Sequence, residues 1–250
     1  YRYVAKLMHV YSNANHSVKS KSRQSLYLSM LNFIEVNGWE KWYVRGKLLN
    51  DCQPYLFRSR THMTSHWAIV ALFLNELGND KNKKAQYESF INLYNNQLKA
   101  NLRINDKAYV WNMTWDNPWP WGLACNKAAK NAIIQDGSHG NHVITYVVES
   151  YELGKYWEKI DIQRFVNTTK YILYSKSEEY FYGDLNQKYD KSYVGGLRYG
   201  DGFLKLARYD RELLLNFEIA RISNKKDYHF RFEEMQYVAE FKLAQKYQSQ

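Results

Sequence analysis

The sequence predicts an all-α fold of repeated helix hairpins that form a complete or partial α/α toroid. Three observations predict it. Apolar residues recur at helical spacing through most of the 250 residues, with only Pro54, Pro118 and Pro120 as prolines to interrupt them. An internal repeat aligns HWAIVALFLNELGND from His66 with HVITYVVESYELGKY from His142 without a gap, and Glu-Leu-Gly follows ten residues after each His. Units that recur about every 70 to 75 residues, and that cannot bury their inner faces alone, are expected to stack side by side. A flat solenoid is the alternative, since periodicity does not require closure. The length suits one large domain over 1–250.

A weaker unit lies before Gly46, around Ser22 to Val36. Next, Trp67 through Leu74 is apolar nearly all round, as a helix covered on every side requires, and Gly78 marks a left-handed stop. Its partner is one-sided, with Tyr87, Phe90, Ile91, Tyr94 and Leu98 on one stripe. The repeat follows: Val143 through Val148 forms the inner helix, Gly154 the stop, and Ile162, Phe165, Val166, Thr169 and Leu173 the outer stripe. A third unit starts near Gly202, with DGFLKLARYDRELLLNFEIAR as inner helix and HFRFEEMQYVAEFKLAQ as outer. Two long aromatic connections separate these units, Asn101 to Gln135 and Ser177 to Gly202. Such loops seldom serve only as links. In a toroid they line one cleft with the starts of the inner helices.

The net charge of +10 is scattered rather than gathered in a tail, so the expected partner is an extended polyanion. Nucleic acid, an anionic membrane and an acidic polysaccharide all qualify. No run of 18 apolar residues exists, which argues against a membrane span, and no basic-then-apolar leader opens the chain. Cys52 and Cys125 are expected as two thiols.

The densest polar cluster is Asp136-Gly137-Ser138-His139-Gly140-Asn141-His142. Asp136 or Ser138 can cap the helix, the N–H groups of its first turn favour an anion, and His139 and His142 share a face with Tyr146 one turn on. The equivalent stretch of the preceding hairpin carries Arg58, Arg60, His62 and His66, where an arginine fork suits a carboxylate. The alternative reading is a cap followed by buried histidines. His62/His66 and His139/His142 have metal-ligand spacing, but neither pair lies in His-Glu-x-x-His, so no metal and no cofactor is expected. Trp111, Trp115, Trp119 and Trp121, with Asn112 nearby, form either a sugar platform or an apolar plug. Arg198 and Tyr199 are further candidates near the third unit, whereas Arg208 and Tyr209 are expected at the surface.

The hairpins together with Asp136-Gly137-Ser138 and His142 make the chain resemble the α/α-toroid polysaccharide lyases, the class of the hyaluronate, chondroitin and alginate lyases. The matching segment covers about a tenth of the chain. In that class a Tyr follows the His in a loop, where Tyr151 here lies within a helix, and an Asn-Trp-Trp segment is matched loosely by Trp111-Asn112-Met113-Thr114-Trp115. The resemblance implies β-elimination at a uronic acid of an anionic polysaccharide, and a secreted or periplasmic location. The chemistry fits the residues. The substrate carboxylate must be neutralised, by Asn141, Asn112, Arg60 or His66, before its α proton can leave. His142 is then the expected base or neutraliser, and Tyr146 and Tyr199 the expected acids. His139, Arg58, Arg60, His62, Asn112, the four Trp residues and Arg198 are expected to bind substrate. A glycoside hydrolase using Asp116, Asp136 or Asp201 is the enzymatic alternative. A basic helical-repeat domain that binds without catalysis is the other, although nucleic acid is not the expected partner. Oligomeric state is left open by the sequence.

Overall fold

The computed structural model describes residues 1–13, 21–48, 60–115, 133–187, 202–223 and 233–249. Helix dominates them, as the periodicity predicts. They gather into two compact units: one holds the described residues of Tyr1–Leu98, the other those of Lys99–Asp116 and Ala129–Gln250. Arg58, Trp119, Trp121, Arg198, Tyr199, Cys52 and Cys125 lie outside the described residues.

In the first unit α1 (Arg2–Ser12) is followed by α2 (Lys21–Phe33), a π-helical turn (Ile34–Glu40) and α3 (Lys41–Leu48). Then come α4 (Thr61–Leu77) and α5 (Lys81–Asn101), whose last three residues go with the second unit. α1 packs along α4, whose residues Ala68 to Leu74 are all buried. The expected stripe of α5 is buried too, from Tyr87 to Leu98. Trp39 of the π turn meets Tyr87 and Phe90 edge-on at 5.1 and 5.3 Å. Burying rings of this size contributes roughly 2–3 kcal/mol each. Beside them Glu35 accepts from Tyr87 Oη at 3.2 Å and pairs with Lys83 at 3.3 Å. Burial, and then Glu35, push the Tyr87 phenol far above its ordinary value. Gly78 is extended, with φ −73°, rather than left-handed. Space explains the glycine, since a Cβ there would lie 3.0 Å from the carbonyl oxygen of Leu74.

The second unit holds α6 (Gly137–Glu152), α7 (Lys159–Asn167) with a π continuation (Thr168–Leu173), α8 (Arg211–Ser223) and α9 (Glu233–Gln248). α6 stops at Gly154 with the expected left-handed φ of 69°. The outer stripe from Ile162 to Leu173 is buried. Both long connections open as hairpins, β1 (Leu102–Asn105) with β2 (Ala108–Trp111), and β3 (Tyr174–Ser175) with β4 (Tyr180–Phe181). Thr168 and Asp161 hold the first hairpin on α7. The Thr168 hydroxyl bonds both backbone groups of Tyr109, and Asp161 accepts from Tyr109 Oη at 2.7 Å.

The expected third inner helix is broken. Phe203–Arg208 is a tight 3-10 segment, and Asp210 then caps α8 by accepting the N–H of Leu213 at 2.7 Å. An Asp at that point stops one helix by starting another. The 3-10 segment carries two buried cations. Lys205 pairs with Glu149 of α6 at 3.2 Å and with Glu240 of α9, while Arg208 pairs with Glu152 and Glu240. Arg208 is therefore core, its side chain 2% exposed, and not the surface residue its sequence neighbourhood suggests. Burial works against both cations, but the facing carboxylates outweigh it and hold both above their ordinary values. Burial likewise works against ionised Glu240, and Lys205 and Arg208 outweigh it, holding that carboxyl below the usual range.

Candidate functional site

The chain approaches α6 through Ile133–Gly137, and hydrogen bonds fix this approach at both ends. Met113 donates to the Ile133 carbonyl and Gln135 to that of Trp111, which sets Asn112 opposite Ile134. Gly137 then donates to the Gly183 carbonyl and Leu185 to that of Gln135, which sets Asp136 opposite Asp184. Both are non-hydrogen-bonded antiparallel pairs, in which opposed residues share a face with Cα atoms about 4.5 Å apart. Alternation then sorts the side chains. Trp111, Gln135, Phe181 and Leu185 are buried on one face, while Ile134, Tyr182 and Asp184 are half-exposed on the other, which also carries Asn112 and Asp136. Arg103 pairs with Val110 in the hairpin and so joins this second face. It donates to Asn112 Oδ1 at 3.0 Å.

Asp136 is the N-cap of α6 and uses both carboxylate oxygens on His139. Oδ1 accepts the His139 backbone N–H at 2.8 Å, and Oδ2 meets His139 Nδ1 at 2.7 Å. This sets the ring orientation and puts the imidazole proton on Nδ1, leaving Nε2 as the basic nitrogen. The His139 side chain is 35% exposed and that of Asp136 10%. His142, one turn on, is half-exposed. The first-turn N–H groups are less available than the sequence implies, because Gly183 and Asp136 already take those of Gly137 and His139. The dipole of α6 remains as the favourable contribution to a nearby anion.

Other expected contacts turn out to be structural. Asn141 is 3% exposed, and its Oδ1 accepts the N–H groups of Gly202 and Phe203 at 3.1 and 3.0 Å, anchoring the 3-10 segment. Tyr146 is fully buried in the middle of α6, too deep to act as an acid on substrate. Trp111 is fully buried, donating to Gln135 Oε1 at 3.1 Å and meeting Phe165 edge-on, and Trp115 is 8% exposed. These two are an apolar plug rather than a sugar platform. Asn112 is buried and holds Arg103. In the first unit, His62 is buried on α4, while Arg60 and His66 are half-exposed at its start.

Sequence reasoning missed Arg103, Tyr182 and Asp184. Only the strand pairings bring them to Asp136, and the one available signal was the alternation of apolar and polar residues through YFYGDL. Among the described residues no group of three or more His, Cys, Asp or Glu is placed to hold a metal, and no helix is long and apolar enough to cross a membrane. No protein-family profile, no curated protein and no solved structure matches the chain.

Proposed function

We propose that the chain is a polysaccharide lyase that cleaves a uronic-acid-containing anionic polysaccharide by β-elimination, on an α/α-toroid scaffold of which its hairpins are a complete or partial turn. The observation that carries this reading is the 2.7 Å contact between Asp136 and a half-exposed His139. A carboxylate that holds an imidazole orients it for general-base work. Arg103, held on Asn112, supplies positive charge for the substrate carboxylate, and His142 lies one turn beyond His139. The net charge of +10 favours approach of a polyanion.

The steps balance on these groups. With its carboxylate neutralised, the uronate loses its C5 proton to His139 Nε2. The electron pair of that bond forms the C4–C5 double bond as the C4–O bond breaks, and the imidazolium returns the proton to the leaving oxygen. Asp136 stabilises the imidazolium in between. Incubation with uronate polymers tests the reading by ultraviolet absorbance of the unsaturated product. New reducing ends without that absorbance mean hydrolysis and overturn it.

A further inference from the structure

We propose that the face formed by α1 and α2 docks on the surface of an anionic lipid bilayer. This face belongs to the first unit alone and is independent of the chemistry proposed at α6.

Charge is one-sided in this part of the chain. Residues 1–34 hold Arg2, Lys6, Lys19, Lys21 and Arg23 and no Asp or Glu, so those five cations make half of the net charge of +10. The first carboxylates in the chain, Glu35 and Glu40, both pair with Lys83 of α5. Each Lys or Arg near an anionic bilayer adds to the attraction.

Apolar side chains lie in water beside those cations. α1 packs along α4 and buries Ala5 and Met8. On its other side Tyr3, Leu7 and Val10, spaced i, i+4, i+7, form a row in which each is more than half exposed. Arg2, Lys6 and His9 form the adjacent row at the same spacing. On α2, Arg23, Leu26, Met30 and Phe33 share a face, and Leu26 and Phe33 are again more than half exposed.

Between the two helices, Leu7, Met8 and Tyr11 face Leu26, Tyr27 and Met30 across an apolar cavity of about 200 Å³, to which Arg23 adds almost only its stem. That volume is below the roughly 300–1,000 Å³ of a small-molecule pocket, and two of its walls, Leu7 and Leu26, are themselves exposed. It is a notch in a surface rather than a container. Single exposed apolar residues need no explanation, but a set gathered on two adjoining helices marks an interaction site. Rows of apolar and aromatic side chains set among Lys and Arg suit a helix lying at the headgroup level, with its apolar side chains reaching the acyl boundary. Tyr1 and Tyr3, each about half exposed, are amphipathic rings of the kind that sit at that level.

The test is co-sedimentation of the full chain with phosphatidylcholine vesicles that contain either no anionic lipid or about 40 mol% phosphatidylglycerol. The wild type is expected to bind the anionic vesicles at least tenfold more tightly, and to lose about tenfold between about 0.05 and 0.3 M salt. The double change Leu7→Ser and Leu26→Ser should weaken binding about tenfold with an unchanged thermal midpoint, because both side chains are exposed. Arg23→Glu should weaken it about tenfold, whereas Lys159→Glu, the same change of charge at an exposed position of the second unit, should weaken it less than about twofold. This last comparison decides even if the double variant fails to fold. Equal losses in Arg23→Glu and Lys159→Glu mean diffuse charge attraction and overturn the face. Binding to neither vesicle, or equally to both, overturns it too, as does a folded double variant that binds like the wild type.

Discussion

Asn141 is the residue where a structural and a catalytic role make opposite forecasts. Its Oδ1 takes two backbone donors, the N–H groups of Gly202 and Phe203, at a site 3% exposed to water. The contact is close: a Cβ on Gly202 would lie 2.0 Å from the Asn141 carbonyl oxygen, so the 3-10 segment rests directly on the first turn of α6. Asn141→Ala strands both donors. Each unsatisfied buried donor costs about 1–3 kcal/mol, and partial relief by an entering water leaves about 3 kcal/mol in total. For a unit of this size that lowers the thermal midpoint by about 10 °C. Asn141→Asp keeps an acceptor at both donors and should lose less than half as much. Calorimetry on the three proteins measures the shifts. An Asn141→Ala protein that melts within about 2 °C of wild type, yet eliminates no substrate, would refute the clamp and return Asn141 to the substrate.

Three further outcomes follow from the same geometry. Asp136→Asn keeps a capping side chain, so stability should fall by about 1 kcal/mol or less, while kcat falls on the order of 100-fold because an amide cannot stabilise the imidazolium; denaturant curves and initial rates separate the two. Glu240 is held below its ordinary value of 4.5, so it contributes stability that is fully present above pH 4.5 and is lost as the pH falls through its lower folded value; Glu240→Gln should flatten the loss of stability below about pH 4.5, and should cost about 3 kcal/mol at pH 7 by leaving Lys205 and Arg208 undercompensated. Tyr87→Phe removes one bond to Glu35, which still has Lys83, so the first unit should lose about 1 kcal/mol in urea unfolding.

The helices were legible because their signal is local and periodic. The stripes from Tyr87 to Leu98 and from Ile162 to Leu173 are buried as the 3.6-residue spacing requires. The break at Asp210 was not, because DGFLKLARYDRELLLNFEIAR reads as continuous at that period; what breaks it is the cap to Leu213 and the pairing of Lys205 and Arg208 with carboxylates on α6 and α9. Glu240 lies far from both cations in sequence, and pairings at such separation leave no local trace. The site divides in the same way. Asp136 and His139 are three residues apart on a helix start, a local spacing, yet in sequence Asp136 reads as a cap and His139 as a substrate contact, and only the structure joins them. Arg103, Tyr182 and Asp184 come to them through two short strand pairings that no repeat or spacing announces.

The gapless alignment of the two segments does not extend to the polar starts of α4 and α6. Aligning His66 with His142 sets Arg60 against Asp136 and Met63 against His139. α4 therefore starts with Arg60 as an N-cap that makes no side-chain capping bond, where α6 starts with a carboxylate that bonds both the backbone and the ring of His139. The two segments share the apolar residues of a buried helix and differ at their starts, where α6 alone has a carboxylate held against an imidazole. His66 then has the place of His142 in the repeat without the acid-imidazole pair that gives His142 its neighbour. Replacing Arg60 by Asp and Met63 by His would restore that pair in α4, and its failure to raise elimination would follow if Arg103, Asn112 and the Asp184 strand are what make the α6 pair productive.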